Sequence, residues 1–351
     1  MFSLKPYNTF GIEAQTTTLI KINSLADLVF GLATAKKKHK TIYIIGGGSN
    51  ILFTRKHYEY CFLKNNIKGI EVVEETAVTK IIKIGGGEIW QDVVNYALTH
   101  DLGGIENLSL IPGTMGAAPI QNIGAYGVEL KDVFVKLEAV LINDGQKTMD
   151  DRNTEKKSIV YRPVSIVRAN CNFGYRDSIF KNALKGKYFI THVYLELTKP
   201  QAHKINIGYG DIQRVLSQKA IINPTIQDIS KAVIEIRQFK LPDPKQIGNA
   251  GSFFKNPEIS LAELDILKEK FPTIVNYPTP CGTKLAAGWL IEQCGWKGKR
   301  LGNVGVHERQ ALVIVNYGNG SGNEIKKLSE AIQKSVLKKF GVVLSAEVNF
   351  I

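Results

Sequence analysis

The segment from Gly103 to Gly127, GGIENLSLIPGTMGAAPIQNIGAYG, limits what this chain can become. It holds six glycines and two prolines in 25 positions, with Glu106 as its single charge. Ordinary usage supplies roughly two glycines in that length. Exposed linkers are Gly/Ser-rich, Pro-rich or charged. Here Ile105, Leu108, Leu110, Ile111, Met115, Ile120 and Ile123 are interleaved with the amides Asn107, Gln121 and Asn122. The mixture predicts an ordered loop packed against a flat element, with glycines admitting close backbone approach. A core crossover between two sheets satisfies the same pattern, and the local residues do not separate the two.

The segments before it set its context. LIKI (19–22) reads as a strand, Ser24 as the N-cap of a helix that closes at 36–40, and TIYII (41–45) as a buried strand running into Gly46-Gly47-Gly48-Ser49-Asn50. Glycine turns at strand C-termini are where α/β sheets place ligands. A dinucleotide fingerprint needs a glycine where this chain has Ile51, and a P-loop would need Gly-Lys-Ser/Thr. A backbone anion nest and a plain hairpin-like turn both remain. The theme repeats at 79–84 and Gly85-Gly86-Gly87, with Trp90 where the third glycine would be. Ile89, Trp90, Val93, Val94, Ala97 and Leu98 then mark a helix over 88–102.

Downstream, 135–144 alternates as a strand and ends at Asp144-Gly145, a hairpin-type turn, before a lysine-rich loop at 150–157. Tyr175-Arg176-Asp177 lies in a turn before the strand 188–197. An arginine there suits a carboxylate or a developing oxyanion, although a structural pair with Asp177 or a neighbouring acid is the plain reading. Tyr209, flanked by glycines, fits a flap or a bulged strand end. Thr225 and Asp228 cap a helix that Pro242 and Pro244 stop near Lys240, and KLPDPK is the best domain boundary. Ser252 sits in NAGSFFKNP without a G-x-S-x-G context, so a hydrogen-bonded turn hydroxyl is the plain reading. Residues 284–298 read as a helix, 311–315 as a buried strand and 323–340 as an amphipathic helix. In VVLSAEVNFI the period of two puts Glu347 on a polar strip, as a solvated carboxylate or facing a ligand cavity.

Composition narrows the function classes. A chain of 351 residues should form two or three domains. The cysteines (Cys61, Cys171, Cys281, Cys294) show no CxxC pairing and the histidines no HExxH, so no metal is expected. No run reaches membrane-helix length and residues 1–14 lack a signal peptide's apolar core, so the cytoplasm is expected and no membrane partner. The net charge of +13 suits a nucleic-acid surface or an enzyme of anionic phosphates. Its lysines are scattered and no nucleic-acid-binding motif accompanies them, so no nucleic-acid partner is expected.

Six blocks in order resemble one family: NTFGIEA, IIGGGSNILF, IPGTMGAAPIQNIGAYGVEL, NFGYRDSIFK, LPDPKQIGNAGSFFKNP and KLAAGWLIEQ. The resemblance, to UDP-N-acetylenolpyruvoylglucosamine reductase of peptidoglycan synthesis, continues through HERQALVIVN to AEVNFI. It covers essentially the whole chain, and the GYG around Tyr209 is similar to the subclass with a tyrosine loop over the substrate. The resemblance implies an α+β fold: a two-part FAD-binding region of the vanillyl-alcohol-oxidase kind plus a C-terminal α/β substrate-binding domain. The expected division is 1–66 and 67–222 for FAD, 223–341 for substrate, with strand 342–351 returning to the second part.

The implied reaction takes electrons from NADPH through FAD to the enolpyruvyl double bond of UDP-GlcNAc-enolpyruvate, giving UDP-N-acetylmuramate, in a cytoplasmic monomer. By the same resemblance Gly46, Gly47, Gly48, Ser49, Asn50, Pro112, Gly113, Gly116, Ala118, Gln121, Asn122, Gly124, Tyr126 and Gly127 bind FAD. Arg176 stabilises the enolate with Glu347, Ser252 donates the proton, and Tyr175, Tyr209, Lys240, Asn256 and Gln310 bind the substrate. Another flavin oxidase on the same scaffold, or a basic nucleic-acid-binding protein, are the rival readings.

Overall fold

The computed structural model describes residues 1–142, 163–280 and 282–351, together with the backbone of two short paired strands, Gln146–Lys147 and Ile159–Val160. The expected turn at Asp144-Gly145, the lysine-rich loop 150–157 and Cys281 lie outside the described residues. The chain divides into two compact units. One comprises Met1–Gln15, Gly48–Tyr58 and Gln238–Ile351, the other Thr16–Gly47 and Glu59–Arg237.

The Thr16–Gly47/Glu59–Arg237 unit begins as a βαβ arrangement. Strand Ile42–Ile45 runs parallel to His57–Asn65, and helix Leu25–Lys37 connects Gln15–Ile22 to it. Ser24 caps that helix as expected, its hydroxyl accepting from Asp27 N at 3.1 Å. A five-stranded antiparallel sheet follows, in the order Val164–Val167, Phe134–Leu141, Tyr188–Thr198, Thr79–Gly85, Ile70–Glu75. Trp90, Val93, Val94 and Ala97 of helix Trp90–Thr99 pack into one core with Ile82, Ile84, Leu137 and Val193. Burying a side chain of that size contributes roughly 2 kcal/mol.

Gly103–Gly127 belongs to this same core. It forms two short 3-10 turns, Glu106–Leu108 and Met115–Gln121, and buries Ile105, Leu108, Met115, Ala118 and Ile123. Its backbone is stitched to its surroundings: Gly103 bridges Thr198, Trp90 Nε1 donates to Leu108 O at 2.8 Å, and Gly116 N donates to Gly86 O at 2.8 Å. The last contact requires glycine, because a Cβ on Gly116 would stand 2.9 Å from Gly86 O.

In the other unit, strands Gly248–Ser252, Val313–Asn316, Val304–Val306 and Arg300–Leu301 form an antiparallel sheet in that order. Helix Gly322–Phe340 buries Ile325, Leu328, Ile332, Val336 and Phe340, the stripe its periodicity predicts. Asn8 knits the N-terminal NTFGIEA: its Nδ2 donates to Leu4 O and Ile12 O at 3.0 Å, and its Oδ1 accepts from Ile12 N at 2.8 Å.

Two local expectations are corrected. Residues 284–298 are not one helix. Gly282–Leu285 is a strand paired with both Glu258–Ile259 and Asn276–Thr279, with Thr283 and Leu285 buried on one face, and only Ala287–Gln293 is helical. Tertiary strand pairing on two sides overrides the helical pattern. The terminal segment is not a continuous strand either. Asn349–Phe350 pairs in parallel with Ile51–Leu52, and Ala346 makes a single bridge to Phe254. Alternate burial holds for Val342, Leu344 and Val348 and fails at Phe350, which is 42% exposed.

Candidate functional site

The expected site residues fall into the two units, with the division between Gly47 and Gly48. In the Thr16–Gly47/Glu59–Arg237 unit, Gly46 and Gly47 face the Pro112–Thr114 segment. A Cβ on Gly46 would come 2.4 Å from Thr114 Oγ1, and one on Gly47 would come 3.0 Å from Gly113 Cα. Thr114 Oγ1 is buried without a hydrogen-bond partner among the described residues. The two glycines thus pack backbone to backbone on this segment, and an orphaned hydroxyl beside them is a free hydrogen-bonding group that a ligand's polar atoms would suit.

The turn Gly174–Asp177 is closed by reciprocal backbone hydrogen bonds, Gly174 N to Asp177 O at 3.0 Å and Asp177 N to Gly174 O at 3.2 Å. Arg176 adopts a left-handed conformation, φ +53°, within it. Its Nη2 donates to Gly124 O, and its guanidinium lies 5.4 Å from the Tyr175 ring centroid. Asp177 receives both of its side-chain hydrogen bonds from Asn182 Nδ2, at 3.0 and 3.1 Å. Non-glycine residues held in this backbone region store strain and cluster at functional sites. Asn122 and Tyr126 share it, with φ +46° and +50°.

Asn122 spends its amide on the scaffold: Nδ2 donates to Gly174 O and to Glu129 Oε2, both at 3.0 Å, while Oδ1 accepts from Lys131 N at 3.0 Å. It thereby ties the Gly103–Gly127 segment to the turn that carries Arg176. Tyr126 meets Tyr209 edge to face at 5.4 Å. Tyr209 is not at a strand end; it occupies the N-cap position of helix Gly210–Gln218 and is 45% exposed.

In the unit containing Gln238–Ile351, Ser252 lies beyond a bulge. The register of Gly248–Ser252 against Val313–Asn316 shifts between Asn249 and Ser252, and Gly251 sits at φ +69°. Asn249 Oδ1 accepts from Gly251 N at 2.9 Å and holds the bulge, while Phe253 and Phe254 anchor the next residues in the core. The Ser252 hydroxyl has no hydrogen-bond partner among the described residues. Glu347 lies beside it along the chain's return: its N donates to Phe253 O at 2.8 Å and its carbonyl accepts from Asn50 Nδ2 at 3.2 Å. As a residue Glu347 is half-buried.

Gly48 belongs to this unit and packs on Tyr7, whose carbonyl would be 2.0 Å from a Cβ. Asn256 Oδ1 accepts from Ala287 N at 3.0 Å, at the start of helix Ala287–Gln293, and Gln310 Oε1 accepts from Leu312 N at 3.3 Å. Lys240 closes helix Ile226–Lys240 and is half-buried.

Two residues escaped the sequence reading. Thr114 lies inside the glycine-rich segment but carries no signal beyond being a threonine. Arg237 lies on a helix whose charges look solvated; burial, then the like charge of Arg176, press its pKa below the ordinary guanidinium value, while Tyr126 opposes them.

Comparison with known proteins accounts for this arrangement. Residues 17–148 match the FAD binding domain family, and residues 243–351 match the C-terminal domain family of UDP-N-acetylenolpyruvoylglucosamine reductase. A UDP-N-acetylenolpyruvoylglucosamine reductase of Flavobacterium johnsoniae is 46% identical, across 100% of this chain and 98% of the relative. One from Pseudomonas aeruginosa is 44% identical, across 99% and 97%. The crystal structure of the Thermus caldophilus enzyme shares the fold, with a TM-score of 0.64 at 19% identity over 99% of this chain and 97% of that one. The chain belongs to the UDP-N-acetylenolpyruvoylglucosamine reductase family, and with it to the FAD-dependent oxidoreductases. The expected α+β class, an FAD-binding region followed by a distinct C-terminal domain, is met. The close backbone packing of Gly46 and Gly47 on Gly113 and Thr114, with the orphaned Thr114 hydroxyl, fits such a cofactor.

Proposed function

We propose that the chain reduces UDP-N-acetylglucosamine enolpyruvate to UDP-N-acetylmuramate, with NADPH as electron source, in the cytoplasmic assembly of peptidoglycan precursors. Gly46, Gly47 and the 112–127 segment would hold the FAD, which supplies hydride-transfer chemistry when bound. The division into 1–66 and 67–222 around the cofactor and 223–341 around the substrate belongs to the same proposal.

The chain's own residues meet the demands of the second half-reaction. Hydride addition to the terminal alkene carbon moves an electron pair onto its neighbour and the attached carboxylate. Arg176, pre-set in a strained turn and hydrogen-bonded to Gly124 O, supplies positive charge there without reorganising. Ser252 donates the proton to the resulting carbanionic carbon, a role that suits a hydroxyl with no partner of its own among the described residues. Glu347 is the acid placed to accompany that transfer. Tyr175, Tyr209, Lys240, Asn256 and Gln310 bind the nucleotide-diphosphate part, with Lys240 offsetting phosphate charge. The strained conformation of Arg176 is the observation that carries this reading, because a merely structural arginine gains nothing from it.

The test is a pair of stopped-flow experiments. Ser252→Ala should leave flavin reduction by NADPH unchanged and slow reoxidation by UDP-GlcNAc-enolpyruvate by about 10²–10⁴-fold, the usual contribution of a positioned acid. Normal reoxidation in that variant removes Ser252 from the mechanism. Purified protein that binds no flavin after addition of FAD would end the whole reading.

A further inference from the structure

Asn107, one of the amides interleaved in the Gly103–Gly127 segment, has no part in the scheme above. It is fully buried, and its Nδ2 donates to two carbonyls far apart in the chain, Tyr126 O at 3.1 Å and Asn206 O at 2.9 Å. Two carbonyl partners fix which end of the amide is the nitrogen. Its Oδ1 is left buried with no hydrogen-bond partner among the described residues. Asn206 answers from the other side: its Nδ2 donates to Gly127 O at 3.3 Å and its Oδ1 accepts from Gly208 N at 3.2 Å. Gly127, at φ +79°, makes room for this, since a Cβ there would stand 3.2 Å from Asn206 Nδ2.

The two asparagines join the turn at 126–127 to residues 206–208, immediately before Tyr209. Among the described residues, 204–208 forms no backbone-to-backbone hydrogen bond. Ile205 and Ile207 pack on the apolar cluster of helices Gly210–Gln218 and Ile226–Lys240, as does Tyr126. Apolar contacts hold a segment down without fixing its register, and directional bonds fix it. Both Asn107 bonds are part-buried, so water could satisfy either carbonyl separately, whereas the amide ties one to the other. The unpaired Oδ1 is a cost that packing alone would not select, because an apolar side chain of the same branched shape carries none. What the clamp sets is local: Tyr126 and Tyr209 meet edge to face with ring centroids 5.4 Å apart, and Tyr209 stays 45% exposed at the N-cap of helix Gly210–Gln218.

We propose that Asn107 and Asn206 form a clamp that positions Tyr209 for the bound substrate. Asn107, closed to solvent, is a positioning residue that acts on substrate affinity through that tyrosine. This deepens the reductase reading and rests on its assignment of Tyr209 to the nucleotide-diphosphate part of the substrate. Because the clamp is built on the segment assigned to FAD, the cofactor's bed and the substrate's tyrosine share one anchor.

The experiment is a double-mutant cycle in the full-length holoenzyme, with Asn107→Leu, Tyr209→Ala and the two combined. It reads KM and kcat with UDP-GlcNAc-enolpyruvate, and FAD affinity by fluorescence titration. Asn107→Leu keeps the branched shape and removes both donors, so KM should rise at least about tenfold while FAD affinity stays within about twofold of the parent. Tyr209→Ala should raise KM by a similar factor, and the combined variant should lie within about twofold of Tyr209→Ala alone, because both changes remove the same contact. Factors that multiply in the combined variant mean that Asn107 does not act through Tyr209 and overturn the proposal. An unchanged KM in Asn107→Leu, or FAD affinity lost in step with KM, overturns it as well. Should Asn107→Leu fail to fold, Asn206→Ala removes the outer half of the clamp and should raise KM about threefold or more, again with no further effect once Tyr209 is alanine; an unmoved KM there also overturns it. Tyr209→Ala with an unchanged KM overturns the clamp proposal and leaves the reductase reading standing. Failure of the reductase reading shows separately, as a parent enzyme that binds FAD and does not turn over UDP-GlcNAc-enolpyruvate.

Discussion

Arg176 combines a backbone cost with a chemical role, and the two can be separated. The left-handed region costs a non-glycine residue about 1–2 kcal/mol, and the guanidinium bond to Gly124 O returns about 1 kcal/mol. Arg176→Gly should therefore leave unfolding free energy within about 1 kcal/mol of the parent, measured in urea, while turnover falls about 10²–10³-fold. A large loss of stability would mean that the turn depends on the arginine for folding. Gly46 poses the opposite case, since it needs absence of a side chain rather than a particular φ. Gly46→Ala places a methyl 2.4 Å from Thr114 Oγ1, so the protein should fold but bind FAD at least about tenfold more weakly by fluorescence titration. Thr114 and Arg237 were invisible in the sequence because neither residue type nor spacing marks a group whose partners lie 68 and 111 positions away.

At the level of elements, termini were the most legible features. Helix Gly322–Phe340 opens with a capping box, Ser321 Oγ accepting from Glu324 N at 3.2 Å and Glu324 Oε2 accepting from Ser321 N at 2.7 Å, and closes on Gly341 at φ +69°. Ser321→Ala should cost about 1 kcal/mol and Ser321→Gly only a few tenths, read by chemical denaturation. The Thr225–Asp228 pair at the start of helix Ile226–Lys240 was readable for the same reason, as both partners sit within one turn. Strand Gly282–Leu285 was not. Its two neighbours begin 24 residues before it and end three residues before it, and the pairing overrides a sequence that continues smoothly into helix Ala287–Gln293.

Across the whole molecule, titration sets the pH range in which the fold is secure. Burial lowers the pKa of His192 and of His307 below the ordinary 6.5, so protonation is harder in the native state than in the unfolded chain. The unfolded chain takes up those protons first, and stability is therefore lost as pH falls below 6.5. Hydrogen bonds to Ser321 hold Glu324 below 4.5, and those to Thr225 hold Asp228 below 3.8. Their contributions persist above those values and vanish as pH falls through the depressed ones. Thermal unfolding should show a shallow decline in Tm beginning near pH 6.5 and a steeper one below about pH 4.5; a Tm that rises on acidification through this range contradicts the assignment. The sequence alone was enough to determine the family, the α+β class, the apolar stripes and the capped helix ends. These follow from linear blocks and from periods of two and 3.6 residues, which relate near neighbours in the chain. Only the tertiary structure decided that Arg176, Asn122 and Tyr126 take left-handed backbones, that Ser252 sits past a bulge beside the returning Glu347 backbone, and that the Nε of Arg237 is closed to solvent. The neighbourhood of Ser252 and Glu347 and the burial of Arg237 are imposed by segments far apart in the chain, and backbone strain in a short turn leaves no residue pattern to read.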